Sequence, residues 1–411
     1  MKLNSKKLTI GLLIACLLLA TVSTAAATEW PMFQNNPRHT GYVNQDTSYS
    51  TSQWTVTLDG AVKSPAALSS DKIYVGTEKG TLYALSAKDG NTTWSYDTGS
   101  SIYSTPCVVG DTVYVGSDNG YMYSNNANSG SLNWKFKADG SIRSSAASDD
   151  ENIYFGSDDG YVYAISRNDG TLKWKYHTDD SVQSAPTIDG DTLYVGSDDD
   201  NVYAININDG SLKWKFTTGD DIKSSPAIWD SKVYVGSDDS QVYALDAQNG
   251  AEVWEYNAGS SVSSSPSLDQ RQSTLYVGTE DGDLLALDMR DGLKKWNKTI
   301  ASEVNSTPSI FGNNIAVSTT SGSVEIFNKF TGEGTWSFNP GYLPNVSGSM
   351  MSPVTSGGSL FVAADDGNVY SIDTDEKAAP LSPYTAYYVV AIVVIIAAAA
   401  VIRKVMKGKK Q

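Results

Sequence analysis

Two histidines, His39 and His177, and two cysteines, Cys16 and Cys107, are all that this 411-residue chain offers for imidazole or thiol chemistry. It holds no H-E-x-x-H, C-x-x-C, G-x-S-x-G or Walker sequence. Zinc hydrolysis, α/β-hydrolase acyl transfer and phosphoryl transfer therefore lack their usual residues. Both histidines read as surface residues, and Cys107 as a small buried one. Carboxylates are abundant instead. Glu78, Asp118, Asp158, Asp159, Asp198, Asp199, Asp200, Asp238, Asp239, Glu280, Asp281, Asp365 and Asp366 recur at equivalent turns and predict an acidic crown on one face. Ordinary turn chemistry explains most of them. One or two turns could hold Ca²⁺, with Asp158, Asp159, Asp198, Asp199 and Asp200 as the weak candidates, although their spacing is not that of an EF-hand loop.

A second set is marked by disagreement among otherwise similar segments. Immediately before a repeated serine stand Lys63, Tyr103, Arg143, Gln183, Lys223, Ser263, Asn305 and Met351. A structural role would favour uniformity at this position, yet these side chains differ in size and charge. They are the candidate binding residues for a peptide or small anion, with Lys63, Arg143 and Lys223 as the cationic part inside the acidic rim. Neutral drift at a solvated funnel is the plain alternative.

The elements that must position them follow from a repeat. Tryptophans stand at 54, 94, 134, 174, 214, 254, 296 and 336, so six of the seven spacings are 40 residues and one is 42. A period of that length built from short strands signals blades or solenoid coils. In one unit, Ser184 to Ile188, Thr192 to Gly196, Val202 to Ile205 and Leu212 to Phe216 read as four strands separated by Gly and Asp, with pairs such as Asp209-Gly210 supplying positive φ. Segments such as Leu193-Tyr194-Val195 are apolar on both pleat faces and need cover on both sides, which stacking of blades provides. Eight segments occupy the second-strand position, and Trp54 precedes the first of them while the last unit has no tryptophan after it. The prediction is an all-β, eight-bladed propeller of four-stranded antiparallel blades, closed by the strand around Trp54. The eight tryptophans are read as docking residues between blades. Insertions near Arg271 and Gln272 and between Trp336 and Ser352 are expected in loops.

Ala244-Leu-Asp246-Ala-Gln-Asn-Gly250-Ala-Glu-Val-Trp254 resembles the tryptophan-docking motif of pyrroloquinoline-quinone (PQQ)-type propeller repeats, and Ala286, Asp288, Gly292 and Trp296 match it again. The units ending at Trp94, Trp174 and Trp214 keep the Ala, Gly and Trp without the Asp. The likeness covers roughly residues 30 to 374. That family contains quinone-dependent dehydrogenases and non-enzymatic scaffolds, among them the propeller lipoprotein of bacterial outer-membrane assembly. The resemblance implies for a dehydrogenase a vicinal disulfide against the quinone, a Ca²⁺ and an Asp base. Cys107 has no adjacent cysteine, so that disulfide cannot form, and the expectation is a non-enzymatic branch with no PQQ.

The chain ends suggest a membrane. Residues 1–27 read as a secretory signal cleaved after Ala27, with a lipobox at Cys16 as the alternative. Residues 28–50 form a lead segment expected to lie across one face, and 51–373 the propeller. A linker, 374–383, precedes an uncharged apolar stretch, 384–402, expected to span a bilayer as a helix with the basic tail 403–411 in the cytoplasm. Without the signal and the tail, 22 basic residues face 46 acidic ones, a net charge of −24. Such a surface repels nucleic acid. Asn91, Asn297, Asn305 and Asn345 each begin an N-glycosylation sequon. Acidic ectodomain, sequons and C-terminal span together resemble archaeal surface proteins. The expected role is a membrane-anchored, extracytoplasmic binding or scaffold propeller whose partner is a membrane-surface or secreted protein, a peptide or a glycan. A dehydrogenase with a degenerate site and a structural envelope or adhesion protein are the alternatives.

Overall fold

The computed structural model describes residues 32–33, 36, 38–39, 42–43, 47–300, 302–339, 351–356 and 359–376. None of these is helical. The signal segment, the linker beyond Glu376, the apolar stretch 384–402, the basic tail and Asn345 lie outside them. Among the described residues no helix is long and apolar enough to cross a membrane.

The strands form eight sheets, each built on an antiparallel meander of four, which are the eight blades. The first seven begin at Ala67, Cys107, Ala147, Thr187, Ala227, Ser267 and Ser309. The eighth combines Val354–Ser356, Ser359–Ala363 and Asn368–Glu376 with Thr47–Thr57, in which Trp54 pairs with Ser371. The ring is thus closed by the front of the chain, as expected. The closing pair is longer than the predicted propeller, starting at Thr47 and running to Glu376.

Second strands are buried along their whole apolar length, as at Leu193, Tyr194 and Val195, because a neighbouring blade covers each face. First strands are shorter than expected. That of the fourth blade starts at Thr187, three residues after Ser184, since Pro186 has no N–H to give a ladder and the Ser184 hydroxyl is used elsewhere.

That use explains the repeated serine. The hydroxyls of Ser64, Ser104, Ser184, Ser224, Ser264 and Ser306 accept the N–H at the end of their own second strand at 2.8 to 3.2 Å. The residue after the serine reaches sideways: Ala185 N–H donates to Ser225 Oγ at 2.8 Å and Ser225 N–H to Ser265 Oγ at 2.9 Å. Hydroxyls therefore stitch inner strands together around the axis, satisfying amides that the short first strands leave unpaired.

The described residues of the lead segment run past the turns that join first to second strands in successive blades, and Phe33 lines the axial cavity. Met32 packs with Cys107, Tyr114 and Phe155 of the second and third blades, and the backbone of Tyr42–Val43 adds a parallel strand inside the seventh blade. His39 is correspondingly buried, 1% exposed, which corrects its reading as a surface residue. Its Nδ1 lies 3.2 Å from the Pro226 carbonyl and 2.7 Å from Thr187 Oγ1, and burial lowers its pKa to about 3 against that hydrogen bond. His177 is exposed and Cys107 is buried.

Candidate functional site

Lys63, Tyr103, Gln183, Lys223, Ser263, Asn305 and Met351 line one cavity of about 290 Å³ at the channel mouth. The position before each first strand is where the connection from the previous blade turns down toward the axis, so seven of the eight blades deliver a side chain to this cavity. Arg143 occupies the equivalent position in the third blade, with its guanidinium carbon 5.4 Å from the centre of the Tyr103 ring. Phe33 of the lead segment lines the same cavity below them, making a cup with the segment as its floor. Sequence reasoning missed Phe33, which belongs to no repeat.

Turns between second and third strands surround the cup, and their acids divide by position. Asp159, Asp199, Asp239 and Asp366 are structural. Each accepts the hydroxyl of a third-strand tyrosine, Tyr163, Tyr203, Tyr243 and Tyr370, at 2.5 to 2.7 Å, and Asp199 also takes the Asp179 N–H at 2.8 Å. The residue before each faces the cup. Asp118 receives Arg143 Nε at 3.0 Å, with Asp158 at 3.6 Å from the same atom. Lys63 lies 3.5 Å from Glu78, and Lys223 lies 2.5 Å from Asp238 and 3.1 Å from Asp221. Tyr103 and Ser263 hydroxyls donate to Glu78 and Glu280 at 3.3 and 2.8 Å.

The three expected cations are therefore all held by carboxylates. Partial burial opposes the Lys223 charge, yet Asp238 and Asp221 more than offset it and hold its pKa above the usual lysine value. Burial raises the pKa of the inner acid Asp158, whose Oδ1 is buried without a hydrogen-bond partner, and that of Asp198 also. The Asp198 pKa is pushed up to about 6, first by burial and then by Asp221, against the attraction of Lys223, and its Oδ1 is buried without a hydrogen-bond partner. The mouth is a mixed ring of neutral side chains and paired cations and carboxylates rather than a cationic patch.

The five acids singled out for calcium are not brought together as one site. Asp159 and Asp199 are committed to tyrosines, and Asp158 faces Arg143. Among the described residues the convergent group is Asp200, Asp220 and Asp221, whose carboxylate oxygens lie within 4.8 Å of one another. The vicinal disulfide that the resemblance implies for a dehydrogenase has no cysteine beside Cys107 to form it. Cys107 is a free, buried thiol under the second and third blades, with its pKa raised to about 12 by burial.

The tryptophans dock across blades. Trp94, Trp174 and Trp214 donate from Nε1 to the carbonyls of Ala127, Ile207 and Ala247 in the next blade at 2.9 to 3.0 Å. Trp54, Trp134, Trp254 and Trp296 repeat the bond at 3.0 to 3.2 Å, while Trp336 packs on Phe338. Asn91, Asn297 and Asn305 are exposed.

Two family models match this architecture. Residues 179–387 match the family described as beta-alanine-activating enzyme, beta-propeller, and residues 41–184 match outer membrane protein assembly factor BamB. The chain belongs to the first of these β-propeller families, and its repeats are of the PQQ type. A search of curated proteins finds no match. Among solved structures, BamB from Moraxella catarrhalis is 20% identical with a TM-score of 0.68, covering 79% of this chain and 99% of its own. Quinohemoprotein alcohol dehydrogenase from Comamonas testosteroni is 14% identical with a TM-score of 0.72, covering 89% and 83%. A europium-containing methanol dehydrogenase is 12% identical with a TM-score of 0.73, covering 84% and 98%. At these identities the likeness is one of fold, and the fold hosts both enzymes and an assembly factor.

Proposed function

We propose that the protein is a binding scaffold that receives a segment of a partner protein in the cup at the channel mouth. The observation that carries this reading is the convergence of seven dissimilar side chains, Lys63, Tyr103, Gln183, Lys223, Ser263, Asn305 and Met351, on one cavity in an otherwise repetitive ring, with Arg143 beside Tyr103. Their surroundings offer hydrogen-bond donors and acceptors at close range and an aromatic floor, the features of a peptide-recognition surface. The match of residues 41–184 to an outer membrane protein assembly factor supports an interaction role. In this reading the signal segment exports the propeller, residues 384–402 tether it to a membrane, and the partner is met at that surface.

Photo-crosslinkers placed at Gln183 and Asn305 in the native membrane test it. Both positions should capture the same partner, a crosslinker at Asn128 on the opposite face should not, and simultaneous reversal of Lys63, Arg143 and Lys223 to Glu should abolish capture. Capture that survives the reversal would remove the mouth as the site. The dehydrogenase alternative is separated by adding PQQ and calcium to the purified protein and following dye reduction by an alcohol or sugar.

A further inference from the structure

One blade interface breaks a packing rule that most of the others keep. Two residues after the docking tryptophan, the outer strand presents an aromatic ring to a tyrosine on the third strand of the next blade. Tyr96 meets Tyr123, Phe136 meets Tyr163, Tyr176 meets Tyr203, Phe216 meets Tyr243 and Phe338 meets Tyr370, with ring centres 5.4 to 5.9 Å apart. At two further interfaces neither position is charged: Tyr256 and Leu285 share one packed cluster, and Val56 and Tyr83 another. Between the sixth and seventh blades the two positions are instead Lys298 and Glu325. Both members change together, from ring to charge.

The space the rings would fill stays open as a cleft of about 420 Å³. Lys298 and Ile300 form one wall, Glu325 and Ser337 the other, with Asn339 at the rim and the buried Phe327 inside. Glu325 forms no ion pair with Lys298 or any other described residue, and burial raises its pKa, with the Ser323 hydroxyl opposing. Losing an aromatic contact and leaving a void both lower stability. A charged pair that fails to close on itself does not restore what was lost.

We propose that this cleft between Lys298 and Glu325 binds a saccharide or similar small neutral polyol. The lining selects that class. A carboxylate and serine hydroxyls need donors, the Lys298 ammonium needs an acceptor, and Phe327 with Ile300 needs an apolar face. A sugar supplies hydroxyls of both senses around a C–H face. An anion would meet Glu325, a bare cation would meet Lys298, and an apolar ligand would leave both charges desolvated. The site is independent of the channel mouth.

The test uses the full chain in detergent, applied to an array of immobilised neutral mono- and disaccharides. The wild type should retain a subset of them. Glu325→Gln, which leaves shape and the Lys298 donor in place, should weaken retention at least tenfold. The double variant Lys298→Phe with Glu325→Tyr, which rebuilds the ring pair, should abolish retention and raise the melting temperature. Failure of the wild type to retain any neutral sugar, or equal retention by Glu325→Gln, overturns the proposal. Should the double variant not fold, Glu325→Gln alone decides.

Discussion

Trp54 sits in the strand that completes the eighth blade, and its Nε1 donates at 3.1 Å to the carbonyl of Ala87 in the first. The same ring packs tilted against Phe361 with centres 5.9 Å apart. One side chain from the front of the chain thus bridges the last blade to the first.

Truncating that bridge should differ from truncating its copies. Trp214→Ala removes a ring only 8% exposed and should cost about 3–5 kcal/mol, seen as a lower melting temperature. Trp54→Ala should lower it too, and should in addition speed amide exchange in Asn368–Glu376, whose strand partner carries Trp54. An unchanged exchange rate there would mean that the closure does not depend on Trp54.

Gly250 shows why the docking motif needs its glycine. Its φ is +72°, and a Cβ would lie 2.6 Å from the Trp214 ring. Gly250→Ala meets both backbone strain and a clash with a ring already wedged between blades. We expect a loss above ~1 kcal/mol in urea unfolding, larger than for Gly99→Ala, where φ is +83° but nothing lies within 4 Å.

Blade number, ring closure and the gathering of Lys63 through Met351 were legible in the sequence because each followed from counting positions across repeats. What was not legible has no repeat to compare. The lead segment occurs once, so nothing in its order of residues revealed that Phe33 would floor the cup or that His39 would be buried beside Pro226. The state of the three cations was hidden for a different reason. Arg143 meets Asp118 and Asp158 from turns 25 and 15 residues away, and only the meander's geometry brings them within reach. The Lys298 and Glu325 exchange was visible as two breaks in the pattern, but their being partners across an interface was not.

His39 should leave a mark on the pH dependence of stability. Its folded pKa, lowered to about 3, lies below the unfolded value near 6.5, so the unfolded chain takes up a proton that the folded one refuses. The contribution is complete above about pH 6.5 and is lost progressively as pH falls toward 3, amounting to about 2 kcal/mol at pH 5. Asp198, raised to about 6, acts oppositely, gaining stability as pH falls from 6 toward 4. The variant His39→Asn, which keeps a donor for the Pro226 carbonyl, should therefore lose less stability than wild type between pH 7 and pH 5. Parallel profiles in denaturant melts would show that the imidazole does not titrate as its burial requires.

Asp200 stands where most blades have glycine in the turn after the second strand. Its φ is +67°, a left-handed conformation that costs a non-glycine residue about 1 kcal/mol, and Asp220 and Asp221 press like charge upon it. Asp200→Gly should accordingly stabilise the protein by ~1 kcal/mol in metal-free buffer. Ser240→Gly, at φ +73° but without the neighbouring carboxylates, gives the backbone part alone. Repeating both melts in millimolar calcium separates strain from a metal role. If the three carboxylates bind calcium, the wild type gains melting temperature on addition and Asp200→Gly does not; if neither protein responds, the strain at Asp200 has no metal to offset it, and the calcium reading of these turns fails.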